Sequence, residues 1–127
     1  MDTSRSLNDS PDAIAPDTME VRLLARCSQG SMAHFRLAGN RSGAAVVHAD
    51  LEEVWYCVSG VGMMWLSRDH DLAEPPMSVR PGTSFVIPAG AAFQLRNVAS
   101  DPIDFIGVTM PPWPGDEAAH VVSGPFD

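Results

Sequence analysis

His48 and Glu53 stand out in the stretch HADLEEVWYCVSG, residues 48–60. An imidazole and a carboxyl group held close together can share a divalent metal or pass a proton between them. Burial against an apolar wall raises a carboxyl pKa, while a nearby imidazole pulls the other way. A third candidate is His34, in MAHFRLA, residues 32–38. Met32 and Arg36 share its face of a strand, and Phe35 and Leu37 share the other. If the His34 face lines the interior, His34 joins His48 and Glu53 as a metal ligand. If Phe35 and Leu37 point inward, His34 points out. Alternation favours the second arrangement, because the apolar face of a strand is normally the buried one. His70 and His120 fall in polar segments and receive no role.

The elements that must position these groups are short strands. From Glu20 onward, apolar and β-branched runs alternate with turn residues at spacings near ten residues. The runs are 21–25, 32–38, 44–48, 53–58, 61–67, 77–79, 84–87, 93–98 and 103–110. No amphipathic helix competes with them. Eleven prolines and ten glycines in 127 residues suit this punctuation. PPWPG, residues 111–115, cannot continue a ladder, since Pro lacks the donor. Trp113 on that rigid segment is expected to cover a neighbouring surface, on its own barrel or a partner's. The pattern predicts one all-β domain, a sandwich or barrel. Residues 1–19 read as a loosely packed N-terminal tail, 20–112 as the barrel, and 113–127 as a C-terminal tail packing on it.

Charge excludes several functions. Sixteen acids against eight Lys and Arg leave a net −8. Nucleic-acid binding needs clustered positive charge, and none is visible. No polybasic patch or membrane-length apolar run is present. The N-terminus is polar and acidic with no apolar stretch, so the expected location is the cytoplasm. Cys27 and Cys57 make no disulfide framework, and Cys57 inside an aromatic strand reads as a small buried thiol. Whether the two are reduced is left open by the sequence.

Two spaced motifs resemble those of the cupin family. That family carries Gly, five residues, His-x-His, three or four residues, Glu, six residues, Gly. A second motif follows: Gly, five residues, Pro-x-Gly, two residues, His, three residues, Asn. Here His48, Glu53 and Gly60 fit the end of the first motif, and Gly82, Pro88, Gly90 and Asn97 fit the second. The resemblance covers residues 20 to 110 and implies a cupin-type jelly-roll β-barrel. It selects Glu53 over Glu52 as the inward carboxylate, with Trp55 and Cys57 on the same side. The departures bear on function. Asn40 stands at the opening Gly, Val46 at the first His and Phe93 at the last His. Asn also visits the left-handed region, so the opening turn is expected to survive.

Metal-binding cupins hold a divalent ion with three His and one Glu, and only His48 and Glu53 remain of those four. Catalytic metals usually keep at least three protein ligands. One Fe, Zn, Ni or Mn ion on His48, Glu53 and His34 is one expectation, and no metal is the slightly favoured one. The aromatic and thioether residues predict a mainly apolar cavity around His48 and Glu53, lined by Val46, Trp55, Phe93 and Leu95. Such a cavity points to a small-molecule ligand or substrate. As an enzyme the protein would be a metal-dependent dioxygenase or a metal-free isomerase or cyclase using His48 and Glu53 for proton transfer. The alternative is a non-catalytic binding or sensing module. The family resemblance also implies a homodimer.

Overall fold

The computed structural model describes residues 3–115 and 119–127. Residues 1–2 and 116–118, which belong to the two expected tails, lie outside the described residues. The described residues form strands β1 (Ala13–Ile14), β2 (Glu20–Arg26), β3 (Ser31–Leu37), β4 (Arg41–Ser42), β5 (Val46–His48) and β6 (Glu52–Ser59). They continue with β7 (Gly62–Ser67), β8 (Met77–Val79), β9 (Ser84–Ile87), β10 (Ala92–Asn97), β11 (Ile103–Met110) and β12 (Ala119–Val121). One antiparallel sheet runs β1-β2-β3-β11-β6-β9, and the second runs β12-β5-β10-β7-β8 with β4 also on β10. Among the described residues no helix is long and apolar enough to cross a membrane.

Period-two alternation decides what goes inside. Along β6, Glu53, Trp55 and Cys57 are buried while Glu52, Val54, Tyr56 and Val58 are exposed. Phe35 and Leu37 of β3, Phe105 of β11, Val46 of β5, and Phe93 and Leu95 of β10 join the same core. Trp55 is its hub. Its ring centroid lies 4.8 Å from Phe35, 5.1 Å from Phe105, 5.6 Å from Phe85 and 5.7 Å from Phe93. Each such aromatic pair is worth about 0.5–1.5 kcal/mol beyond the area it buries.

Turn chemistry fixes the strand ends. Gly60 has φ +84°, and a Cβ there would sit 2.4 Å from the Pro102 carbonyl oxygen, so no other residue fits. Asn40 does visit the left-handed region, at φ +58°. A bulge interrupts β6 against β11. Phe105 faces Cys57 while Asp104 faces Ser59, leaving Val58 as the extra residue. Strict alternation would turn Ser59 inward with Cys57. The bulge instead puts its hydroxyl 2.8 Å from Asp104 Oδ2, on the outer face.

Both ends of the chain are more ordered than their composition suggests. The N-terminal residues expected as a loose tail include β1, which pairs with β2, and Met19, which is 1% exposed in the core. Arg22 clamps the segment before β1 by donating to the carbonyls of Asn8 and Asp9 at 2.9 Å each. At the other end β12 pairs with β5. Val122 and Phe126 pack on Ala45, Trp65 and Ala92, a second small core outside the second sheet. Gln94 anchors that layer, donating to Gly43 O and Asp127 Oδ1 and accepting from the Phe126 amide. Trp113 packs against the edge of its own barrel's core, and its amide donates to Ser31 Oγ at 2.9 Å. Cys27 is exposed, Cys57 is buried, and both are free.

Candidate functional site

β5 and β6 carry His48 and Glu53 into one end of the barrel from opposite sheets. His48 is the last residue of its strand and Glu53 the second of its own. His48 Nε2 lies 3.6 Å from Glu53 Oε2, longer than a good hydrogen bond. Glu53 Oε1 accepts from Trp55 Nε1 at 3.2 Å. The imidazole stacks on Phe93 at 5.6 Å, with the rings 12° from parallel. His48 is 7% exposed and Glu53 2%. Two of their atoms, His48 Nδ1 and Glu53 Oε2, are buried without a hydrogen-bond partner.

The surroundings favour neutral forms. Burial pushes the Glu53 carboxyl up to about 7, against the Trp55 hydrogen bond that lowers it, and the Asp17 carboxylate raises it further. Burial also pushes the His48 imidazole down to about 4. At pH 6 the pair is therefore mostly a carboxylic acid beside an uncharged imidazole, a proton donor facing a proton acceptor.

Val46, Trp55, Phe93 and Leu95 all point into the same interior. The expected open cavity is a filled one. Each of these side chains is buried, and the gap bordered by Asp17, Met19, Gly43, Ala44, Phe93 and Leu95 leaves no room for a water-sized sphere. The main hollows lie on the outside, and neither His48 nor Glu53 lines them.

His34 takes the outward arrangement. Phe35 and Leu37 occupy the core, and His34 lies on the outer face of the first sheet with its Nε2 3.2 Å from Asp104 Oδ1. The barrel wall separates it from His48 and Glu53, so it does not complete their donor set. Arg36 also holds Asp104, with Nε 2.6 Å from Oδ1. Burial alone would raise the Asp104 carboxyl, but hydrogen bonds from Arg36 and Ser59 and the charges of Arg36 and His34 hold it below the ordinary range.

The donor set does not fit the metal that the cupin resemblance implies. Among the described residues no three His, Cys, Asp or Glu side chains come together to hold an ion. Val46 and Phe93 fill the two remaining places with hydrocarbon. Asn97 is spent on the backbone, donating to Leu37 O, Ala38 O and Asp101 O and accepting from the Ala99 amide.

Sequence reasoning missed Asp17. It sits at the tip of the β1–β2 hairpin, beside Phe93 and close enough to raise the Glu53 pKa. Burial pushes its own carboxyl up to about 6. Its local signal is an ordinary Pro-Asp turn, so nothing in the sequence alone ties it to Glu53.

Neither protein-family models nor curated proteins match this sequence. Solved structures do. An ectoine synthase from P. lautus is 18% identical at TM-score 0.68, covering 95% of this chain and 88% of that one. A Klebsiella pneumoniae protein with a double-stranded β-helix domain is 13% identical at TM-score 0.66, covering 95% and 91%. An RmlC-like cupin family protein from Methanocaldococcus jannaschii is 17% identical at TM-score 0.61, covering 84% and 90%. The fold is that of a small cupin, an all-β double-stranded β-helix.

Proposed function

We propose that this protein handles a small, mainly apolar molecule in the barrel interior, and that His48 and Glu53 move a proton on it without a metal. The observation that carries this reading is the pair of unpartnered buried atoms, Glu53 Oε2 and His48 Nδ1, set against Phe93 and Trp55. An unpaired buried polar atom costs about 1–3 kcal/mol, and such costs mark sites where a ligand supplies the missing partner. A neutral carboxylic acid protonates one atom of the ligand while the uncharged imidazole accepts a proton from another. That is the chemistry of an isomerase or cyclase. Two donors and hydrocarbon at the other ligand positions weigh against a dioxygenase. The ectoine synthase among the structural neighbours is an enzyme, which fits a small-molecule role.

The test is a set of neutral aromatic and alicyclic ketones in D2O with chelator-treated protein, read by loss of α-proton NMR signal. Wild type is expected to exceed the buffer rate and Glu53→Gln to match it. Exchange that appears only with added metal would sink the metal-free mechanism. Ligands that bind with no exchange in either protein would favour a sensing module.

Two broader assignments accompany this reading. The outer face of the first sheet exposes Val54, Tyr56 and Val58 on β6 beside Val86 on β9, an apolar row suited to a second copy of the chain. Sedimentation of wild type against Tyr56→Glu checks it, with the variant expected to be monomeric. The two free thiols fit a reducing compartment such as the cytoplasm.

A further inference from the structure

The interior pair is sealed, so a ligand needs a way in. The seal is the tip of the β1–β2 hairpin. Ala15 donates to Met19 O at 3.0 Å and Thr18 to Ala15 O at 2.8 Å, enclosing a loop of Pro16, Asp17 and Thr18. Such loops end in a left-handed residue, normally Gly or Asn. Here Thr18 fills that place at φ +74°, a conformation that a β-branched residue adopts only under strain. The tip meets the barrel body through the Ala44 amide, which donates to Asp17 O at 3.0 Å. Met19 is its apolar foot in the core. Asp17 and Met19 close directly over Phe93, the ring on which His48 stacks. The Asp17 carboxyl accepts the Met19 amide at 3.0 Å, and among the described residues it makes no ion pair.

We propose that this hairpin tip is a displaceable plug, and that a neutral, aromatic-sized molecule with one hydrogen-bonding group takes the space that Met19 and Asp17 vacate. The inference rests on the reading of the interior as a ligand site. Three features define the occupant. Phe93, Leu95 and Trp55 offer an apolar wall of ring size. Glu53 Oε2 and His48 Nδ1 offer one acceptor or donor each. No arginine reaches either group, so an anionic ligand would meet two carboxyl groups and no cation. Strain at Thr18 keeps the closed form shallow, since a tip that fitted without strain would open more rarely.

Amide hydrogen exchange on the full chain tests the plug, and p-cresol serves as the neutral probe. The Ala44 and Ala15 amides are expected to exchange at least about 100-fold faster than Phe105 in the middle of β11, because they open locally rather than globally. Thr18→Gly relieves the strain, and is expected to slow Ala44 and Ala15 about tenfold with Phe105 unchanged. The same variant should bind p-cresol about tenfold more weakly, because the competent open state is rarer. In wild type p-cresol should shift the His48 and Phe93 resonances. Ala44 exchanging at the Phe105 rate would overturn the plug, and if p-cresol still shifted His48 the interior would remain a ligand site. Fast exchange at Ala44 with p-cresol shifting only surface resonances would overturn the ligand half, and the interior reading with it.

Discussion

Two histidine–carboxylate pairs share this small barrel, one inside and one outside. His48 and His34 are each 7% exposed, so burial does not distinguish them. Their carboxylate partners behave in opposite ways. Glu53 has no cation and is pushed up to about 7, while Asp104 is gripped by Arg36 and Ser59 and held low. The outer pair is a charged cluster that fastens β3 to β11 and β6. The inner pair is uncharged at pH 6, and the difference in hydrogen bonding lies in the carboxyl groups: Glu53 Oε2 has no partner and both Asp104 oxygens do, while each histidine leaves its Nδ1 unpartnered. Residue type and depth alone would have classed them together, and the neighbours separate them.

The comparison can be broken most forcefully from the inside. Trp55→Ala removes the ring that contacts four phenylalanines and supports Glu53, and should cost about 3–5 kcal/mol by denaturant unfolding. A loss below 1 kcal/mol would mean the interior is not the packed core described.

Titration sharpens the contrast next. The Glu53 pKa is raised on folding, from 4.5 to about 7. The folded state therefore holds its proton longer than the unfolded chain, and stability drains as pH climbs from about 4.5 to 7. Glu53→Gln removes that drain. The variant should match wild type near pH 4.5 and exceed it at pH 8, by at most about 3 kcal/mol. Asp104 has the reverse sign. Its lowered pKa contributes stability above pH 3.8 that is lost as pH falls through its folded value. Paired urea melts at pH 4.5 and 8 read the Glu53 slope, a further melt below pH 3.8 reads that of Asp104, and equal pH dependence in wild type and Glu53→Gln would remove the inner pair's distinction.

Smaller effects belong to the outer cluster. Asp104→Asn keeps the shape but loses charge-assisted bonds to Arg36, and should cost about 2 kcal/mol at neutral pH. Ser59→Ala removes one hydroxyl donor and should cost about 1 kcal/mol. Thermal unfolding of the two variants and their double mutant should show coupling, because both act on one carboxylate.

Much of this arrangement is legible in the sequence, for a definite reason. Alternation in EVWYCV and MAHFRL sorts Trp55, Cys57, Phe35 and Leu37 inward, and the glycine spacing of the two motifs places the turns. His34 is the instructive residue. Its type advertises a metal ligand, and its parity with Arg36 sends it outside. What escaped was tertiary. β1, β4 and β12 span two or three residues each, too few for any period to show. They exist because a finished sheet edge offers them partners. The nearness of Asp17 to Glu53 likewise arises only when the hairpin folds over the barrel mouth. The filled interior followed from Met19, which the sequence placed in a loose tail.

The bulge at Val58 has a consequence for how this chain tolerates change in length. One extra residue there reverses the parity of everything after it on β6. Deleting Val58 would place Ser59 directly after Cys57, where plain alternation keeps its hydroxyl on the outer face opposite Asp104, so the ladder would close without the bulge. A substitution at that exposed valine should pass almost unnoticed. A deletion of the same residue should also be tolerated, whereas deleting the equally exposed Tyr56 would turn the Cys57 thiol out of the core.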